Sequence, residues 1–177
     1  MDASQRYGRV AMLLHWASAA LILAAAGLGL TMTGLPFSPS KLRHYAWHKW
    51  VGITIFLVAA LRLAWRAVEP PPPFPGSMAG WQAQAARVVH ATLYALMLAI
   101  PVSGWVYSSA TGVSVSYLNL VPLPNLVPKD KPLAEVLLAV HRSLNLLLAV
   151  TVGLHVAAAA KHRWIDRDGI ASRMLPR

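Results

Sequence analysis

The stretch AVHRSLNLLLAVTVGLHVAAA, from Ala139 to Ala159, is almost wholly apolar but carries two histidines, His141 and His155. These two positions are fourteen residues apart. On an α-helix they therefore point within about 40° of one another and lie about 21 Å apart along the axis. That separation approaches the thickness of the hydrocarbon core of a bilayer. The stretch predicts a membrane-crossing helix with one imidazole near each membrane surface, on a shared face.

The composition of the whole chain is that of a membrane protein. It has 177 residues, of which 56% are hydrophobic and 12% are charged, and this charged fraction is about half that of ordinary soluble domains. Cysteine is absent, which excludes disulfides, thiolate metal sites and cysteine-ligated iron–sulfur clusters. The net charge of +10 comes mostly from residues outside the apolar runs and not from a basic block. We therefore expect the chain to contact lipid and not nucleic acid.

Four apolar segments each come close to the roughly 20 residues that a helical bilayer span needs. They cover residues 10–32, 47–66, 87–108 and 133–160, with prolines in the breaks between them. The first lacks a signal-peptide cleavage pattern, so we interpret it as a retained helix. Lysine and arginine favour the side of the two termini, ten against six, which predicts that both termini are cytoplasmic. The expected fold is one all-α domain over residues 1–177, an integral membrane four-helix bundle.

Two further histidines match the depths of the two on the fourth segment. His15 is expected at the same end of the bundle as His155, and His48 at the same end as His141. Two bis-histidine pairs stacked across one bilayer would suit two b-type haems, because neutral imidazole is a good axial ligand and a four-helix core can enclose a flat macrocycle. The sequence therefore predicts that these four residues are iron ligands, as the axial pairs His15/His155 and His48/His141.

Neighbouring residues leave other assignments open. His90 shares the depth of His15 and His155, so it is a competing ligand or a contact for a haem propionate or a quinone. His44 precedes His48 by one helical turn and is an alternative ligand there. Glycines within the spans give room for a cofactor or for ordinary helix packing; they are Gly27, Gly29, Gly52, Gly104 and Gly153.

Basic residues beside the histidines are candidate contacts for propionates or a quinone. They are Lys49, Arg142, Lys161 and Arg163, and each of them could equally anchor a helix at the membrane interface. The rival functions are a haem-free transporter, a proton relay and a zinc site. A relay would recruit acidic residues, yet none lies inside the four spans, since Glu135 is at the rim. Zinc would want its ligands at one depth and not at two.

Four stretches, in this order and spacing, resemble the bacterial cytochrome b561 family, which is related to the membrane cytochrome subunits of nickel–iron hydrogenases and formate dehydrogenases. The matching stretches are LLHW around His15, HKWVGITIFLVAALRLAWR from His48, VVHATLYALMLAIPVSGW from Val88 and VHRSLNLLLAVTVGLHVAAAAKHRW from Val140. The resemblance covers nearly the whole chain. It implies two haem b groups held by the same two histidine pairs.

The resemblance also implies a function. Stand-alone members of the family resemble an oxidoreductase of the bacterial inner membrane that takes electrons from superoxide outside and delivers them to ubiquinone. Basic residues of the expected outer loops would attract such an anion; they are Lys41, Arg43, Lys129 and Lys131. The alternative is a haem-b anchor subunit that relays electrons between a soluble dehydrogenase or hydrogenase and the quinone pool.

Overall fold

Four long α-helices dominate the computed structural model, which describes residues 6–76 and 78–175. The helices are α1 (Arg9–Gly34), α2 (Pro39–Val68), α3 (Gly80–Ala110) and α4 (Lys131–Ala160). Each is long and apolar enough to cross a membrane, with a mean hydropathy of 1.6 to 1.8 over its best window. The expected membrane four-helix bundle is confirmed.

The helices begin earlier than the apolar segments suggested. α2 starts at Pro39, where the expected span started at 47, and α3 starts at Gly80, where the expected span started at 87. For α2 the cause is local, because the Ser38 hydroxyl accepts a hydrogen bond from the Lys41 amide (3.2 Å) and proline is favoured in a first turn. Hydropathy marks only the apolar part of a helix, so it does not reveal the polar first turns.

Shorter elements occupy the two ends of the bundle. The two-residue strands β1 (Ser116–Tyr117) and β2 (Val121–Pro122) pair antiparallel between α3 and α4; we call this side the hairpin end. A π-helical turn over Lys161–Asp166 and a 3₁₀ turn over Ala171–Met174 follow α4 at the opposite side, the termini end. The hairpin was not anticipated, since its turn contains no glycine.

Side chains from α2 fix the hairpin over one end of the bundle. Trp50 donates from its indole nitrogen to the Ser116 carbonyl at 2.8 Å, and the hydroxyls of Thr54 and Tyr117 lie 3.0 Å apart. At the termini end, the Trp16 indole nitrogen donates to the Met174 carbonyl at 2.9 Å. Both ends of the bundle are thus covered by loop or tail segments.

The helices pack in chain order, α1 on α2, α2 on α3 and α3 on α4. Within the described residues the backbones of α1 and α4 do not pack closely against each other. A small cluster of buried apolar side chains lies in the middle of the bundle, formed by Ile55 and Ala59 of α2 with Met97 of α3. Ile55 lies about two helical turns along α2 from His48, and Met97 lies about two helical turns along α3 from His90. The cluster therefore separates the two ends of the bundle.

Candidate functional site

At the hairpin end, His48 of α2 faces His141 of α4. The centres of the two rings are 6.3 Å apart and their planes cross at 81°. With a metal–imidazole bond of about 2 Å and about 1 Å from nitrogen to ring centre, two axial rings on one ion have centres roughly 6 Å apart. The observed separation therefore suits a bis-histidine metal site.

Hydrogen bonds set the tautomer of both of these rings. His48 Nδ1 lies 3.0 Å from the Ala25 carbonyl oxygen, which can only accept. His141 Nδ1 lies 2.9 Å from Ser103 Oγ, whose own hydroxyl donates to the Ile100 carbonyl at 2.7 Å. Both rings therefore carry their proton on Nδ1, and each Nε2 keeps a lone pair for a metal, as outer hydrogen bonds arrange in metal-binding histidines.

Glycines back both rings at the hairpin end. A Cβ atom on Gly29 of α1 would lie 3.2 Å from His48 Cε1, and one on Gly104 of α3 would lie 3.1 Å from His141 Cε1. These separations are shorter than ordinary van der Waals contact, so a side chain at either position would press on a ring. By contrast, a Cβ on Gly27 would meet nothing within 4 Å.

At the termini end, three histidines meet: His15 of α1, His90 of α3 and His155 of α4. The ring centres of His15 and His155 are 6.1 Å apart, whereas those of His90 and His155 are 5.3 Å apart. Only the first separation matches the roughly 6 Å expected for two axial rings on one ion. The geometry favours the pair His15/His155 and places His90 directly beside it.

Arg62 of α2 belongs to this cluster, although sequence reasoning did not single it out. Its Nη2 donates to His15 Nδ1 at 3.3 Å, and its guanidinium carbon lies 5.2 Å from the centre of the Tyr94 ring. The available signal was a charged residue near the end of an apolar span, a position that is costly and usually functional. Nearby, burial raises the pKa of Tyr7, while neighbouring arginines oppose that shift more weakly.

The other sequence candidates lie outside these two clusters. The His44 ring nitrogen Nδ1 bonds to the Ser40 carbonyl of its own helix at 2.8 Å. Arg142 is exposed beside His141, and Lys161 forms an ion pair with Asp166.

The donor chemistry fits haem better than zinc. Each cluster offers neutral imidazole nitrogens in a pair with axial spacing, which is a common haem ligation. In the described part of the chain, the group of three side chains whose ligand atoms all lie within 4.8 Å of one another is His162, Asp166 and Asp168, not the three histidines of the termini end. A three-histidine zinc site is therefore not formed there.

Comparison with known sequences gives the same assignment. The family described as prokaryotic cytochrome b561 matches residues 6–177. The chain belongs to the prokaryotic cytochrome b561 family. The resemblance seen in the sequence is thus confirmed, and with it haem b, electron transport and a bacterial membrane location.

Curated relatives match the chain from end to end. Cytochrome b561 homolog 2 of Escherichia coli K12 is 33% identical over 98% of this chain and 93% of its own length. Cytochrome b561 homolog 1 of the same organism is 26% identical over 97% of this chain and 98% of its own length. The probable superoxide oxidase CybB of Yersinia pestis is 25% identical over 98% of this chain and 97% of its own length.

The variant Ser103→Ala tests whether the Ser103 hydroxyl orients the His141 ring. In Ser103→Ala the His141 Nδ1 proton loses its acceptor, and outer hydrogen bonds of this kind are worth about 10- to 100-fold in metal affinity. We expect haem to be lost from the variant more readily than from the wild type during dilution. Haem retention can be followed by absorbance, and equal retention in variant and wild type would contradict the orienting role.

Proposed function

We propose that this cytochrome holds two haem b groups and passes electrons from a periplasmic donor, superoxide in the first instance, to ubiquinone in the bacterial inner membrane. The observation that carries the proposal is the pair of imidazole couples, with ring centres 6.1 Å and 6.3 Å apart, at opposite ends of one bundle. Two separate redox sites are what electron passage across the membrane interior needs.

In this proposal His48 with His141 holds one haem, and His15 with His155 holds the other. Haem b supplies a reversible one-electron iron couple when bound. Two imidazole ligands on each iron would leave no coordination position open for oxygen. Acceptors for Nδ1 of His48 and His141 keep each Nε2 ready to ligate.

The donor assignment is supported by charge and by a relative. If the termini are cytoplasmic, the hairpin end is periplasmic, and lysines and arginines around it attract an anion. Lys49 is one of these residues, and its ammonium donates to Ser108 Oγ of α3 at 2.7 Å. The name of the Yersinia pestis relative, a probable superoxide oxidase, points to the same substrate.

The acceptor is proposed to bind at the termini end. His90 supports this, because its ring lies 5.3 Å from that of His155 without occupying the axial geometry. It would contact a haem propionate or a quinone oxygen. Arg142 and Lys161 are also predicted to contact a propionate or a quinone. For Lys161 this contact would require that its ion pair with Asp166 breaks.

The test is superoxide-driven quinone reduction by the purified protein alone. Proteoliposomes that contain ubiquinone would receive superoxide from an enzymatic generator outside, and ubiquinol would be measured. We expect ubiquinol formation that superoxide dismutase abolishes and that His141→Ala reduces by at least tenfold. Dismutase-insensitive or absent reduction by haem-loaded protein would contradict the proposed donor, and co-purification of a soluble dehydrogenase would then favour the anchor-subunit alternative.

A further inference from the structure

Arg62 carries a positive charge within the membrane-spanning helix α2. In the described part of the chain, Arg62 forms no ion pair with a carboxylate. The ion pairs of residues 6–76 and 78–175 join Lys161 and His162 to Asp166 and Asp168, far along the chain from α2. A charge in this environment is expensive unless something of opposite sign compensates it. The π-face of Tyr94, 5.2 Å away, compensates it only in part.

The contact between Arg62 and His15 determines which ring nitrogen of His15 carries the proton. A guanidinium only donates hydrogen bonds, so Nδ1 of His15 must be the acceptor at 3.3 Å, and the neutral ring then carries its proton on Nε2. That is the opposite of the tautomer at His48 and His141. A His15 that ligates iron through Nε2 carries its proton on Nδ1, which cannot accept from Arg62. If His15 held iron through Nε2, the Arg62 guanidinium would therefore be free to meet an anionic group.

We infer that Arg62 is the counter-cation of the haem held by His15 and His155, meeting a propionate carboxylate and raising the reduction potential of that haem. The inference rests on the proposed function. Its physical reason is that reduction lowers the charge on iron by one, so a fixed positive charge nearby stabilises the reduced state. Arg62 is a positioning and tuning residue, since it is not itself a ligand.

Among the described residues, no arginine donates to a histidine ring at the hairpin end. There both rings donate from Nδ1 to oxygen atoms, which makes the imidazoles more basic ligands and favours the oxidised metal. The nearby ammonium of Lys49 is directed at Ser108 and not at a ring. The haem at the termini end is therefore the better electron acceptor of the two, and electrons would run from the hairpin end towards it.

Spectroscopic redox titration of the detergent-purified holoprotein tests this inference. Arg62→Gln is expected to shift the one-electron equilibrium of one haem towards the oxidised form by at least about tenfold, which is about 59 mV, and to leave the other haem unchanged. Arg62→Lys keeps the charge and should stay near the wild-type midpoint. Arg87→Gln removes a charge from the same end, where Arg87 is exposed and bonded to Gln84, and should shift neither haem.

The outcomes separate this inference from the function on which it rests. Unchanged midpoints in Arg62→Gln with both haems bound overturn the inference alone. Loss of one haem in Arg62→Gln but not in Arg62→Lys supports a role for the positive charge. Loss of that haem in both variants overturns the inference, because the shape of the arginine side chain and not its charge would then be required. Absence of haem from the wild-type protein would instead defeat the proposed function.

Discussion

Replacing His141 by alanine is expected to lower the haem content from two to about one per chain, because one axial nitrogen of the hairpin-end pair is removed. His155→Ala should remove the other haem by the same reasoning. The two variants should therefore differ from each other in the reduced-minus-oxidised spectrum, each lacking a different component. Haem content is measured by the pyridine haemochrome assay on detergent-purified protein.

His44→Ala and His90→Ala are the matched controls for that experiment. His44 bonds to its own helix, so its loss should leave both haems in place. His90 lies beside His155 but at 5.3 Å, closer than axial spacing, so its variant should also keep two haems. Full haem retention in His141→Ala and His155→Ala would refute the ligand assignment. Loss of one haem in His90→Ala would mean that His90, and not His15, is the ligand paired with His155.

Valine at Gly104 is expected to abolish haem binding at the hairpin end without replacing any ligand. A Cβ there would lie 3.1 Å from His141 Cε1, and the branched side chain adds bulk at the same place. The ring cannot swing aside freely, because Ser103 in the adjacent position holds its Nδ1. Gly29→Val should act in the same way through His48, whose Cε1 lies 3.2 Å from a Cβ at that position.

Gly27→Val is the control for both glycine variants, since Gly27 lies on the same helix as Gly29 and its Cβ would meet nothing within 4 Å. We expect Gly27→Val to retain two haems and the other two variants to retain about one, by haemochrome assay and size-exclusion profile. Two haems in Gly104→Val would show that the ring tolerates displacement and that the close approach is incidental.

The features that the sequence predicts are those with a local cause. Hydropathy over about 20 residues defines a span wherever it occurs, and the 3.6-residue period fixes that His141 and His155 share a face of α4. Depth in the membrane then follows from position along a span. These local rules place His15 at the depth of His155 and His48 at the depth of His141, and so predict the two pairs.

The side-chain contacts between helices cannot be predicted from the sequence, because they depend on how each helix is rotated against its neighbours. Depth alone left His15 and His90 as rivals, and only the ring separations of 6.1 Å and 5.3 Å distinguish them. Arg62 meets His15 across a helix boundary, 47 residues away in the chain. Ser103 likewise reaches His141 from α3 to α4. Such contacts have no signature in the periodicity of one segment.

One chain of this cytochrome is proposed to hold two haem b groups on two histidine pairs. The most direct measurement is the haem-to-protein ratio of the purified wild-type protein by pyridine haemochrome assay, together with the reduced-minus-oxidised spectrum. We expect about two haem b per chain with bis-histidine spectral character. One haem per chain would contradict it, and would mean that one of the two pairs does not hold a haem.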